Sequence, residues 1–418
     1  MQPPLRALLG LCLLLSAPAL RAQSAPALAT KFDSTRDTIF ARVAGSAPPA
    51  RMHRLVQELS IAPGADDTTL FTLVNGFKVD RAGRFWVFDQ PTSTIFLFGK
   101  DGALVKHIGR RGGGPGEMVS DNGSVVLPGD RFAIWDAQNA RISWFKADGG
   151  FDKSTLVSKG FYTFGGLVTD QSGAVFIKLP VSRGGDGRIG TLGLIRIRPD
   201  GSFGDSLTPP SLNVSVEGYT ATKGGASATY QSRNAASASW VWHADGFFAT
   251  VDGSRSRVVL SRRTAKPIVI ERRLPPVPIP ADERADDKAF ITWGLRQTVS
   301  DWKWSGPSVP DRKPALGPSI AARDGRLWVR VATPSVRIPD SELPERRPNG
   351  APTYRFRSSI EYEVYASDGT FLARVALPKG TQLMEAEGNT VWALGRDDDD
   401  LPAVRRYRIE PALPRWSR

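Results

Sequence analysis

Along most of the chain, short runs dense in Val, Ile, Phe and Trp alternate with tight turns, many of them Asp-Gly. Within a run the apolar positions fall two apart or fill the run completely. That pattern predicts strands covered on one or both faces rather than helices. Asp-Gly is hairpin chemistry, because glycine takes positive φ without steric cost and aspartate bonds its neighbouring backbone. The runs recur as a unit: an apolar strand, a tight turn, a strand with a central aromatic, a loop, an alternating strand, a second tight turn and a last strand.

Six such units are legible, at residues 76–108, 124–158, 165–208, 238–272, 318–377 and 381–409. Trp86, Trp135, Phe176, Trp328 and Trp392 mark second strands, and Asp101-Gly102, Asp148-Gly149, Asp200-Gly201 and Asp368-Gly369 mark later turns. Four strands at a spacing of roughly 40–50 residues are the signature of a propeller blade. The sixth unit lacks a fourth strand, while residues 54–61 form a strand without a blade. Pairing the two would close the ring and remove an exposed edge. The expected fold is therefore all-β: a six-bladed β-propeller over residues 51–418, closed by an N-terminal strand.

Residues 55–118 also carry the motif Gly109-Arg-Arg-Gly-Gly-Gly-Pro-Gly-Glu117 after the first unit. With the preceding Trp86-Val-Phe-Asp89, this stretch resembles the bacterial exported six-bladed β-propeller proteins related to NHL repeats. The resemblance is concentrated in the first two units. It implies the fold and no particular activity.

The remaining composition narrows the setting. Residues 1–22 read as a secretory signal, with Arg6 ahead of an apolar stretch and Leu20-Arg-Ala22 at a cleavage site. Residues 23–50 read as a linker. No later run approaches the roughly 18 apolar residues of a membrane span, so a soluble protein of the periplasm or cell exterior is expected. The only cysteine, Cys12, lies in the signal. A mature chain without thiols has no disulfide, no Cys-bound zinc and no thiol nucleophile. Net charge is +13, carried more by Arg than by Lys, which favours anionic partners or reflects an Arg-rich composition. The reading expects a monomer with an anionic ligand or protein partner. Nucleic acid is disfavoured, since no aromatic platform accompanies the charge.

Function is sought in the loops. Turns between first and second strands, and between third and fourth, are all tight. The long segments, residues 109–123, 181–190, 209–237, 274–318, 332–355 and 395–402, are second-to-third-strand loops or blade connections, which share one face. Long loops on a common face predict the binding surface there. Within them, residues 281–303 read as a helix bearing Ala289, Phe290, Trp293 and Val299, between blades four and five. Trp302 and Trp304 follow, either as rim packing or as a lid that touches a flat ligand.

Arg110, Arg111 and Glu117 belong to the glycine-rich segment, which reads either as an anion-binding nest or as a rigid turn in which Glu117 pairs with an arginine. Arg183, Arg188, Arg337, Arg346, Arg347, Arg355 and Arg357 lie in or beside the same-face loops and suit carboxylate or phosphate. Asp397, Asp398, Asp399 and Asp400 offer oxygen ligands for Ca²⁺ without EF-hand spacing, or a solvated acidic turn. Asp89, Asp136 and Asp252 recur at second-strand ends, which suggests blade building. His53, His107 and His243 have no partners at ligand spacing, and the metal-ligand sets of the lyases and lactonases that resemble this fold class find no match. Two functions follow: an exported binding module for an anionic glycan, envelope component or protein, with no cofactor; or a metal-assisted hydrolase or lyase using Glu117, Asp186, Asp301 and the Asp397–Asp400 run.

Overall fold

A computed structural model describes residues 28–45, 52–62, 71–157, 166–182, 191–198, 200–211, 218–343 and 349–416. Six four-stranded antiparallel sheets are arranged as the blades of a propeller. The strands of each blade are called a to d from the channel outward. Blade one is Val74–Val79, Phe85–Asp89, Thr94–Phe98 and Leu104–Ile108, and blade two is Ser124–Val126, Phe132–Asp136, Arg141–Phe145 and Phe151–Leu156. Blade three is Leu167–Thr169, Val175–Pro180, Leu192–Ile197 and Phe203–Leu207. Blade four is Ala238–Trp242, Phe248–Asp252, Arg257–Ser261 and Ile268–Arg272. Blade five is Leu316–Ala321, Leu327–Val331, Glu361–Tyr365 and Phe371–Ala376.

The sixth sheet comprises Gln382–Glu387, Thr390–Arg396 and Pro402–Glu410, and its outermost strand is Arg54–Ile61, antiparallel to Pro402–Glu410. The stretch read as a linker contains structure of its own. Thr30–Ser34 and Ile39–Val43 form a hairpin, and Ile39–Val43 runs parallel to strand d of blade four, making that sheet six-stranded. Its signal was weak because Phe32, Phe40 and Val43 are interrupted by charges, so the alternation fades.

Strands b and c are apolar on both faces because blades stack on both sides of each sheet, which is why the chain reads as filled runs there. Phe85–Asp89 and Phe132–Asp136 are buried throughout. Trp86 stacks on Phe132 of the next blade, with centroids 4.7 Å apart and planes 3° from parallel. Blades four and five are joined by a buried ion pair: Arg272 Nε lies 3.1 Å from both oxygens of Glu363, which also accepts Tyr365 O–H at 2.6 Å. Burial and the neighbouring Glu363 push the Tyr365 phenol well up. A charge pair at 1% and 0% side-chain exposure stands only because its hydrogen bonds are met.

Strand-b aspartates latch blades one, two and four. Asp89 accepts the backbone N–H groups of Thr72 and Leu73, which lead into strand a, and those of Thr92 and its hydroxyl in the b–c turn. Asp136 likewise accepts Val119 N–H and Ser120 O–H on the entering chain and Asn139 on the b–c turn. Asp252 serves its b–c turn through Ser254 and Arg255.

Asp136→Ala should lower unfolding free energy by about 2–3 kcal/mol, since several buried donors lose their acceptor. Urea denaturation reads this; an unchanged midpoint would remove the latch from the account.

Candidate functional site

Two chain excursions build a cap on the face that bears the long loops. Gly218–Lys223 and Ala226–Gln231 form a hairpin turned by Gly224-Gly225. The helix α1, Ala281–Arg296, packs across it. The helix is shorter than its sequence suggests: residues 297–303 turn away, and the buried face is Ile291, Gly294 and Leu295 rather than Ala289. A side chain at Gly294 would put its Cβ 2.3 Å from the Tyr230 ring, so the close approach requires glycine. Trp302 is 8% exposed, packs with Tyr219, Ala221, Ile291 and Leu295, and donates its indole N–H to Thr220 O at 3.3 Å. Trp304 lies 4.4 Å from Tyr219, centroid to centroid, with Lys288 over its ring. Both tryptophans are thus part of the small core that fastens helix to hairpin.

Buried carboxylates hold the cap to the b–c loop of blade five. Asp287 accepts Ser232 O–H at 2.5 Å and Tyr354 O–H at 3.2 Å, while Asp286 pairs with Arg355, Nε at 3.0 Å. Burial, and next the Asp287 charge, raise the Tyr354 phenol. Arg233 sits 3.7 Å above the Tyr354 ring. Arg357 pairs with Glu342 at 2.6 Å, and exposed Arg337 lies at the edge of ion-pair range, 3.9 Å from Asp282 and 3.8 Å from Asp340. Arg183, Arg188, Asp186, Arg346 and Arg347 lie outside the described residues.

The glycine-rich segment is filled from within. Arg141 donates to the carbonyls of Gly113, Gly114 and Glu117 at 2.7–2.8 Å, and Asn139 to that of Gly112. The Glu117 carboxylate takes the Gly114 N–H at 2.7 Å and pairs with Arg110 at 2.8 Å. The Gly114 N–H and then Arg110 hold the Glu117 carboxyl below the usual range. An external anion at this turn would have to displace Glu117. Arg111 is exposed beside it.

Asp397 accepts the N–H groups of Asp399 and Leu401, and Asp400 pairs with Arg396. These contacts make the acidic run a turn of its own, with Asp398 and Asp399 exposed. Among the described residues no group of three His, Asp or Glu side chains is placed to hold a metal ion. His243 is buried between neighbouring blades, its Nδ1 accepting Asp245 N–H and its Nε2 donating to Gly325 O.

Two cavities are the features that the motifs left out. A cleft of about 180 Å³ lies on the long-loop face between blade five and the cap, lined by Arg233, Lys313 and Arg330 with Thr333, Ser358 and Ser359. Lys313 donates to Thr333 O at 3.0 Å, Ser335 Oγ at 2.6 Å and Ser358 Oγ at 2.5 Å. Burial lowers its pKa against the opposing pull of Glu283. A second cavity of about 760 Å³ occupies the channel and opens among the tight a–b turns, on the face opposite the long loops. This opening lies on the face to which loop length did not point.

Between the inner strands of blades one and two, Asp121 is buried beside Gly76, where any Cβ would fall 1.8 Å from its Oδ2. Burial raises the carboxyl to about 6 although Gly123 N–H and Ser124 O–H bond it.

The class that these sheets define is a six-bladed β-propeller. A family model described as "6-bladed beta-propeller" matches residues 66–155. No curated protein matches the sequence. Among solved structures, a candidate exported protein from Bacteroides fragilis is similar at 12% identity, covering 89% of this chain and 99% of that one, with a TM-score of 0.47. A catalytically inactive virginiamycin B lyase from Staphylococcus aureus with quinupristin is similar at 11% identity, 85% and 99% coverage and a TM-score of 0.41. A gluconolactonase from Xanthomonas campestris is similar at 11% identity, 89% and 99% coverage and a TM-score of 0.39. Among the described residues no helix is long and apolar enough to cross a membrane.

Two measurements follow. Arg141→Met should destabilise the fold, because the carbonyls of Gly113, Gly114 and Glu117 lose their donor, whereas Arg110→Ala, at 81% side-chain exposure, should leave the melting temperature unchanged. Equal effects would contradict the inward-held turn. For Asp121, the unfolded carboxyl ionises near 3.8 and the folded one at about 6. The folded state thus holds the proton across that interval, and stability falls as pH rises through it. Asp121→Asn should flatten this decline in urea titrations; persistence of the slope would assign it elsewhere.

Proposed function

We propose that this propeller is an exported binding module that takes an anionic group on its long-loop face, in the cleft between cap and blade five. The observation that carries the reading is charge: three cationic side chains and several hydroxyls line the cleft, and no carboxylate does. Arg330 is exposed and makes no ion pair with a described carboxylate, so its guanidinium is available for bidentate contact with a carboxylate, phosphate or sulfate. Lys313 is held by hydroxyls and a carbonyl, none of which cancels its charge. The volume suits one anionic group, with the rest of a glycan or envelope polymer lying along the cap. The signal-like residues 1–22 place this module in the periplasm or outside the cell.

Isothermal titration with inorganic phosphate and with a uronate oligosaccharide tests the reading. Arg330→Glu should weaken binding at least about tenfold, equivalent to about 1.4 kcal/mol, with no change in melting temperature. Binding should weaken with salt. It should also fade on the alkaline side at a pH below the 10.5 of an ordinary lysine, as Lys313 loses its proton. Affinity indifferent to Arg330→Glu and to salt would reject the cleft.

A further inference from the structure

The channel cavity has a different electrostatic character from the cleft, and it asks for a different ligand. Its charged lining is arranged in pairs contributed by neighbouring blades and turns. Lys78 Nζ of blade one lies 2.6 Å from Glu385 of blade six. Arg323 pairs with Glu387 and also donates to Val79 O at 2.6 Å. Arg326 pairs with Asp324 at 3.1 Å and donates to Gly388 O at 2.7 Å. Arg81 and Asp170 complete the charged lining, so the mouth carries as many carboxylates as cations. An anion entering here would meet the carboxylates, and a cation the guanidinium groups.

Pairing does not exhaust these groups. A lysine ammonium has three donors, a guanidinium five, and each carboxylate accepts at both oxygens. Among the described residues the buried Nε of Arg323 has no hydrogen-bond partner, nor does the indole N–H of Trp242. Trp242 is 7% exposed, packs against Phe176 and Phe248, and lines the cavity. Buried donors without acceptors are rare in folded chains and need a partner supplied. Ser124 and Thr169 add hydroxyl-bearing residues to the same wall.

We infer that the tight-turn mouth of the channel is a second binding site, for an uncharged, hydroxyl-rich ligand of the carbohydrate class. Vicinal hydroxyls donate and accept at neighbouring atoms, which matches an alternating ring of donors and carboxylates without upsetting its charge. The 760 Å³ of space lies within the roughly 300–1,000 Å³ typical of small-molecule sites. The ring of Trp242 lines this wall, so a sugar bound there lies against it. This site is independent of the cationic cleft on the other face.

The test uses full mature protein and a panel of neutral disaccharides, cellobiose, maltose and lactose, with cellobionate as the acidic counterpart of cellobiose. In ¹H–¹⁵N spectra, a neutral sugar should shift the Trp242 indole resonance, identified by its loss in Trp242→Phe. Trp242→Phe should weaken that sugar at least about fivefold, roughly 1 kcal/mol, while Arg330→Glu leaves it unaffected. Because Trp242→Phe perturbs packing, Glu387→Gln provides a second probe. It should improve cellobionate binding relative to cellobiose by removing one carboxylate from the mouth. The inference is overturned if no panel sugar moves the Trp242 indole at about 50 mM, far weaker than the ~1 mM that corresponds to 4.1 kcal/mol. It is equally overturned if cellobionate binds the unaltered protein more tightly than cellobiose, or if neither variant changes the relative affinities.

Discussion

The inner wall of blades one and two depends on the carboxylates that end their b strands. Asp89 and Asp136 each grip two things at once, the chain entering strand a and the turn leaving strand b. The inner strand is only three residues long in blade two, Ser124–Val126, too short to be fixed by its own ladder. Anchoring its approach to the better-buried b strand sets where the inner strand ends and which side chains face the channel. The grip combines backbone N–H donors with the Thr92, Ser120 and Asn139 side chains, and leaves the other side chains of the connecting segments free to vary.

That freedom has been used differently on the two faces. On one, excursions between blades three and four, between four and five, and within five converge into a cap with its own small core around Trp302, Ile291 and Leu295. Its arginines are largely matched internally: Arg355 by Asp286, Arg357 by Glu342. What remains unmatched is concentrated in the cleft beneath. On the other face the turns are too short to fold over anything, and the channel mouth is furnished by strand ends and the tight turns, with most charges neutralised in pairs. In a low-dielectric recess an unbalanced charge interacts far more strongly than a paired one, so the two openings differ in the field they present.

The fold was legible because its determinants are local. Asp-Gly turns, filled b strands and their terminal aspartates each speak within one blade, and Trp86 and Trp328 stand at the second position of their b strands in two of them. The cap was less legible. Its hairpin is built from Thr, Ala, Ser and Gly, with Tyr219 and Tyr230 as the only large residues; Gly224-Gly225 was the available hairpin signal, but it lies in a stretch without strong alternation. The cleft could not be read at all, since Arg233, Lys313, Arg330 and Ser358 come from four separated segments. At the channel mouth a trace was present: Lys78, Glu385 and Glu387 interrupt otherwise apolar inner strands, where a polar residue has only the channel to face. The conspicuous pattern of the glycine-rich segment gives the carbonyls and the N–H group that seat Arg141 and Glu117.

The pairing of Arg54–Ile61 with Pro402–Glu410 has a consequence in time. Each other blade is a meander of neighbours that can form as its residues emerge, but Arg54 and Glu410 lie 356 positions apart. Contacts of such separation are slow to form because the intervening chain must be ordered first. Until the last strand is made, the edge of Pro402–Glu410 and the strand that covers it are both open to foreign partners. A chain delivered across a membrane from its N-terminus would present Arg54–Ile61 early and satisfy it last, so the sixth sheet is where assistance during folding would matter most.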